Sequence, residues 1–238
     1  MRPVHPMDIE VVACEPSPIG LICLRRRRAR SRPDVIATEI TLDHQFLMSS
    51  VATDSERALA TRALELHGGE GLDVLVGGLG LGYTARAALA SERVARVEVV
   101  ELLPQVISWL ERDLIPIARE LKADGRLVVT QGDVYRRLAS EPAARVDAIL
   151  VDVDTSPERR LGDASELFYT DEGLARCRRH LAPGGVLAVW SYADSPELED
   201  GLLRVFDDVR VEPITFDNAV TDEEETNWLF FARARQGS

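Results

Sequence analysis

The chain has 238 residues, 45% hydrophobic and 29% charged, the composition of one sizeable globular α/β domain with room for a small appendage. Its formal net charge of −12 opposes general binding to nucleic-acid backbones, and no apolar run is long enough to cross a membrane. Cys14, Cys23 and Cys177 form no CxxC pair and the four histidines show no ligand spacing, so reduced structural thiols and no metal site are expected.

The opening "MRPVHPMDIEVV" lacks the apolar stretch of a secretory leader, which makes the cytosol the default location. Residues 8 to 49 read as β. "IEVVAC" and "GLICLR" flank the punctuating "EPSP", and "VIATEITL" (35–42) and "QFLMS" (45–49) follow as short strands. Residues 1–50 are therefore expected to form a small N-terminal β module, with 51–238 as the main domain. The basic run Arg25 to Arg30, followed by Arg32, reads as the solvated end of a hairpin rather than as an anion-binding patch.

A helix is predicted from Thr53, with Thr53-Asp54-Ser55-Glu56 as a capping box and Gly68-Gly69 as the stop. Strand, turn and helix then alternate. Predicted strands are 72–77, 96–102, 126–131, 146–153 and 185–192, and predicted helices are 83–91, 104–121, 133–140 and 171–181. After a helix at about 195–206 come strands 208–214 and 227–234, with no crossover helix between them, so they are expected to pair antiparallel. The pattern predicts an α/β fold of the Rossmann-like class I methyltransferase kind. Its sheet is seven-stranded and mostly parallel, with helices on both faces and an antiparallel last strand.

In such a sheet, ligands sit at the carboxyl ends of the strands. The first strand runs into "VGGLGLGYTAR", where Gly78, Gly80 and Gly82 let backbone approach a ligand closely. Tyr83 stands where a dinucleotide fingerprint needs its last glycine, and there is no P-loop lysine. Glu101 ends the next strand about 20 residues on, placed to accept from both ribose hydroxyls, with Leu102 beside it. Asp133 and Val134 follow the third strand, suited to an adenine amino group and ring, although Asp133 is equally placed to N-cap a helix. Asp152 and Asp154 leave the fourth strand, where a carboxylate can hold or deprotonate an attacking amine or hydroxyl. Acidic loops without a phosphate-binding cation point to a positively charged nucleoside. Tyr83, Trp190 and Tyr192 are candidate pocket walls, with core packing as the alternative.

With these motifs in place, the chain resembles the spermidine synthase-like branch of the S-adenosylmethionine-dependent transferases. The residues are "VLVGGLGLGYTAR", "VEVVELLPQVI", "GRLVVTQGDVYRRL", "VDAILVDVDTSP", "LFYTDEGLARCRRHLAPGGVLAVW" and, upstream, "LDHQ". The resemblance implies a dimer. It also implies Gly78, Gly80 and Gly82 along the nucleoside, Glu101 on ribose, Asp133 on adenine and Asp152 at the reaction site. Three departures stand out. Leu81 occupies the position of the family's donor-recognising aspartate. Ala58-Leu59-Ala60 replaces an acceptor-binding Tyr-His-Glu segment, and the second acid of the catalytic signature is displaced to Asp154.

Leu81 removes a carboxylate that would repel a donor retaining its own. The sequence is therefore read in favour of methyl transfer from S-adenosylmethionine to an unidentified small-molecule acceptor, without metal. Aminopropyl transfer from decarboxylated S-adenosylmethionine is the alternative, and a non-catalytic nucleoside-binding scaffold is a third reading.

Overall fold

The computed structural model describes residues 9–28, 34–153, 156–157, 165–218 and 223–234. Strands β1 (Ile9–Ser17), β2 (Gly20–Arg28), β3 (Ile36–Leu42) and β4 (Gln45–Ser49) form an antiparallel sheet in sequence order. Ile22, Leu24 and Ile40 from this sheet join the main core, packing with Leu59, Leu79 and Leu81.

Two expectations about this sheet change. The hairpin register sets Cys14 opposite Cys23 with Cα atoms 4.0 Å apart, and the two sulfurs are bonded. Pairing across antiparallel strands is what the wide sequence spacing concealed. Cys177 stays a free, buried thiol whose pKa burial pushes up. The arginine run is more than a solvated edge. Arg25 and Arg27 both bond the carboxylate of Glu39, which is 0% exposed, and Arg26 reaches the Leu114 carbonyl at 3.3 Å. Alternation along β2 sends Arg25 and Arg27 to the same face, so one carboxylate serves both. Arg30 and Arg32 lie outside the described residues.

The second sheet has seven strands in the order β10-β11-β9-β8-β5-β6-β7. Its parallel part is β5 (Leu72–Gly77), β6 (Val94–Glu101), β7 (Leu127–Gln131), β8 (Val146–Val151) and β9 (Leu181–Ser191). The Val, Leu and Ile of β5, β6, β8 and β9 are largely buried because helices cover the sheet, while the edge strand β7 stays partly exposed. The hairpin β10 (Asp208–Asn218) and β11 (Glu223–Arg233) closes the edge, β11 running antiparallel to β9.

Helix α1 (Asp54–His67) ends where Gly68 adopts φ 76 and donates to the Leu64 carbonyl. Its start differs from expectation: the Thr53 side chain makes no capping bond, and Glu56 is turned inward. Helices α2 (Tyr83–Leu89), α5 (Val134–Ala139), α6 (Asp171–Arg179) and α7 (Pro196–Val205) fall close to their predicted places. The predicted helix 104–121 is two, α3 (Pro104–Glu111) and α4 (Ala118–Ala123). Asp113, at φ 59, breaks the ladder between them. Among the described residues, no helix is long and apolar enough to cross a membrane.

Candidate active site

From β5 the chain moves one way to β6 and β7, then returns to lay β8 and β9 on the other side. The crevice created by this reversal opens at the carboxyl ends of β5 and β8. Backbone bonds hold those ends together: Gly78 donates to Val100, Asp152 to Gly77, and Gly132 to Glu101, each at 2.9–3.0 Å. One cleft runs across them. Its floor comes from the strand ends and its roof from Ile19, Ile22, Ile40, Leu47 and Met48 of the N-terminal sheet.

The glycine turn divides its labour. Gly78 adopts φ +90, and a Cβ there would lie 2.4 Å from the Asp152 carbonyl oxygen, so only glycine lets the two strand ends meet. Gly80 faces the sulfur of Met48, on the cleft side. Gly82, at φ +86, faces away, because a Cβ there would stand 2.4 Å from Leu121. Leu81, between these two left-handed glycines, turns into the core and is 0% exposed. Neither Leu81 nor Gly82 lines the cleft.

Glu101 does line it. Its carboxylate accepts from the Leu79 N–H at 2.7 Å and the Leu103 N–H at 2.8 Å, drawing the glycine turn towards β6. Burial raises its pKa, against the lowering effect of those backbone bonds. Leu102, 40% exposed, offers an apolar surface beside it. Asp133 fulfils the capping role, accepting from the N–H groups of Tyr135 and Arg136 at 2.9 and 3.2 Å, and also borders the cleft with Val134.

Asp152 also lines the cleft, its Oδ2 accepting from the Thr84 hydroxyl at 2.6 Å. Burial raises its pKa to about 6. Asp154 lies outside the described residues. Of the aromatic candidates, Trp190 lines the cleft. Tyr83 is packed beneath the guanidinium groups of Arg57 and Arg86, and Tyr192 is 44% exposed away from it.

The residue missed in the sequence is Glu56. It lines the cleft near its partner acid and is 6% exposed; burial first, then the charge of Asp152, raise its pKa to about 8. Its position follows from a polar relay. Ser55 Oγ accepts from Trp190 Nε1 and from Asn227 Nδ2, each at 2.9 Å, which fills both lone pairs. Its remaining proton goes to Glu56 Oε2, also at 2.9 Å. A signal was present. Glu56 stands on the same helical face as the buried Leu59, Ala60 and Ala63, at spacings of three, four and seven, so a capping acid there must also face inward. The loss of polar groups at Ala58-Leu59-Ala60 therefore does not strip α1 of its acid.

No family model matches the chain. The polyamine aminopropyltransferase 2 of Streptomyces coelicolor is 35% identical over 124 residues, covering 51% of this chain and 22% of that protein. A polyamine aminopropyltransferase of Prochlorococcus marinus is 30% identical over 125 residues, covering 52% of this chain and 42% of that protein. The chain thus spans less than half the length of the curated relatives it matches. A spermidine synthase solved with the transition-state analogue AdoDATO superposes over 94% of this chain and 73% of its own, with a TM-score of 0.74 and 20% identity. The spermidine synthase of Thermotoga maritima gives 0.71 over 94% and 72%, with 18% identity.

These findings overturn the preference for methyl transfer. The relatives similar in sequence are aminopropyltransferases, and Leu81, on which that preference rested, points into the core. Helix α1 adds Glu56 to the cleft, a carboxylate the sequence reading did not place there. Over about half of its length the chain is similar in sequence to polyamine aminopropyltransferases, and over 94% of it the fold is that of spermidine synthases.

Proposed function

We propose that the chain transfers an aminopropyl group from decarboxylated S-adenosylmethionine to an amine. The observation that carries this is the charge of the cleft. Glu56, Glu101, Asp133 and Asp152 line it, and among the described lining residues there is no lysine, arginine or histidine. A sulfonium donor with an ammonium tail complements this acidic lining, and a cation beside Glu56 and Asp152 offsets the burial that raises both pKa values. A donor that keeps its own carboxylate meets only like charge and no cation to hold it.

In this reading Glu101 holds ribose, Leu102, Asp133 and Val134 flank the base, and Gly78 and Gly80 let the sulfonium chain lie against backbone. The acceptor enters as an ammonium and first gives a proton to Asp152. Its freed lone pair then attacks the propyl carbon attached to sulfur; an N–C bond forms as the C–S bond breaks, the electron pair of that bond returning to sulfur to leave neutral methylthioadenosine. The new secondary amine leaves protonated, so the one proton released is that taken by Asp152. Glu56 holds the entering ammonium beside it. Their raised pKa values bring both closer to that of an amine than ordinary carboxylates are. The rest of the catalysis is alignment of nitrogen, carbon and sulfur for in-line displacement.

Calorimetry with the decarboxylated and the complete donor tests the proposal. Binding of the decarboxylated form at least about tenfold tighter is expected, since like-charge juxtaposition costs more than about 1.4 kcal/mol. Equal or tighter binding of the complete donor overturns it. Glu101→Ala is expected to weaken methylthioadenosine binding by about 1–3 kcal/mol through lost charged hydrogen bonds. Unchanged affinity would place the nucleoside elsewhere.

A further inference from the structure

Ser55, the second residue of α1, is buried, and its hydroxyl is met from two strands of the sheet beneath. Trp190 of β9 stands opposite Leu229 of β11, and Asn227 lies two residues along the same face of β11. The indole and the amide therefore emerge close together under the first turn of α1, and both donate to Ser55 Oγ, each at 2.9 Å. A serine has two lone pairs and one proton. With both lone pairs occupied, the proton goes to Glu56 Oε2 at 2.9 Å. An indole N–H can only donate, so this chain of bonds cannot reverse at Trp190. Each donor also polarises the serine O–H and strengthens the bond it makes in turn. Trp190 and Glu56 line the cleft, whereas Ser55 and Asn227 stand behind its wall.

We propose that Ser55 and Asn227 are positioning residues for the acceptor amine. Tied to the terminal hairpin, the serine hydroxyl fixes the Glu56 carboxylate at the cleft wall and stabilises its charged form. This rests on the reading of Glu56 as the group that holds the entering ammonium. A buried acid favours its neutral form, and a neutral acid gives an ammonium little to bind. Asp152 and Asp54 oppose the Glu56 charge as burial does, and the bond from Ser55 works for it. A hydrogen bond donated to the carboxylate thus offsets part of the cost of charging Glu56 when the amine arrives. Fastening α1 to the sheet, the other use of such a relay, would alter stability and the affinity for every ligand alike.

The test is calorimetric titration of the full chain with methylthioadenosine alone, and with diaminopropane and diaminobutane as probe amines once methylthioadenosine is saturating. Ser55→Ala is expected to weaken the amine that the parent binds by at least about tenfold, the usual worth of a hydrogen bond to a charged group. Methylthioadenosine affinity should change by less than about twofold. In a Glu56→Gln background the same substitution should change amine affinity by less than about twofold, because the serine acts through the carboxylate. Asn227→Leu removes one donor at similar volume and is expected to weaken the amine roughly threefold, again only where Glu56 is present. That variant carries the comparison by itself should Ser55→Ala fail to fold. Losses of equal size with and without Glu56, or losses shared by methylthioadenosine, overturn the proposal. Failure of the underlying reading looks different: the affinities behave as expected, yet the parent moves no aminopropyl group from the decarboxylated donor. A parent that binds neither amine leaves Glu56 without a cation to hold and overturns both.

Discussion

Asp152→Asn is expected to lower aminopropyl turnover by about 10²–10⁴-fold, the usual contribution of a positioned general base. The asparagine carbonyl can still accept the Thr84 hydroxyl bond, so the fold and nucleoside affinity should persist. What disappears is the group that takes the proton from the attacking nitrogen. The substitution also removes one of the charges that raise Glu56, so the Glu56 pKa should fall from about 8 towards the ordinary carboxylate range. In the parent, kcat/KM should climb as the pair loses its protons between pH about 6 and about 8. Single-turnover rates across pH, with thermal midpoints as a control on folding, decide the matter. A variant that turns over like the parent would remove Asp152 from the reaction.

Glu56→Gln is expected to change stability in a way that depends on pH. Burial holds the folded-state pKa of Glu56 at about 8, far above its value in an unfolded chain. The folded protein therefore binds that proton more tightly than the unfolded one. The resulting stability is complete below the ordinary glutamate pKa and is lost as pH rises through about 8. The whole shift corresponds to at most on the order of 5 kcal/mol. Glutamine mimics the protonated acid at every pH, so parent and variant should unfold together near pH 5 and the variant should be more stable near pH 9. Denaturant midpoints of both proteins across that range make the comparison. The difference isolates Glu56 from groups of opposite sign such as Glu98, whose pKa is lowered chiefly by its hydrogen bond from Arg137. Parallel stability curves would show that folding does not raise the Glu56 pKa. Acceptor binding should weaken in the same variant, tying the buried acid to the amine site.

The regular part of the molecule was legible because its signals are local. Valine- and leucine-rich runs alternating with helical stretches specify a parallel sheet, and a parallel sheet brings all its carboxyl ends to one edge. Gly78, Glu101, Asp133 and Asp152 can therefore be placed together from sequence, and all four border the same cleft. The terminal hairpin was legible for a similar reason, since the sequence of 215–226 carries no pattern for a crossover helix, and β10 and β11 pair antiparallel.

Other features depend on which way a side chain turns, and there local pattern yields to packing. By the resemblance, Leu81 is expected at the place of a donor-binding aspartate. The left-handed backbone at Gly80 and Gly82 folds it into the core, and an aliphatic side chain gains by going there. Glu56 reads as a capping residue, but the apolar stripe it shares with Leu59, Ala60 and Ala63 draws it under the sheet edge. There the saturated Ser55 hydroxyl directs a proton at it. The bond between Cys14 and Cys23 and the joint hold of Arg25 and Arg27 on Glu39 are matters of strand register. The sequence by itself determined the α/β order and which strand ends carry acids, because periodicity and strand-end position are properties of neighbours along the chain. Tertiary structure decided that α1 supplies the second acid and the N-terminal sheet an aliphatic wall. Those follow from contacts between segments far apart in sequence, whose register and orientation no local pattern encodes.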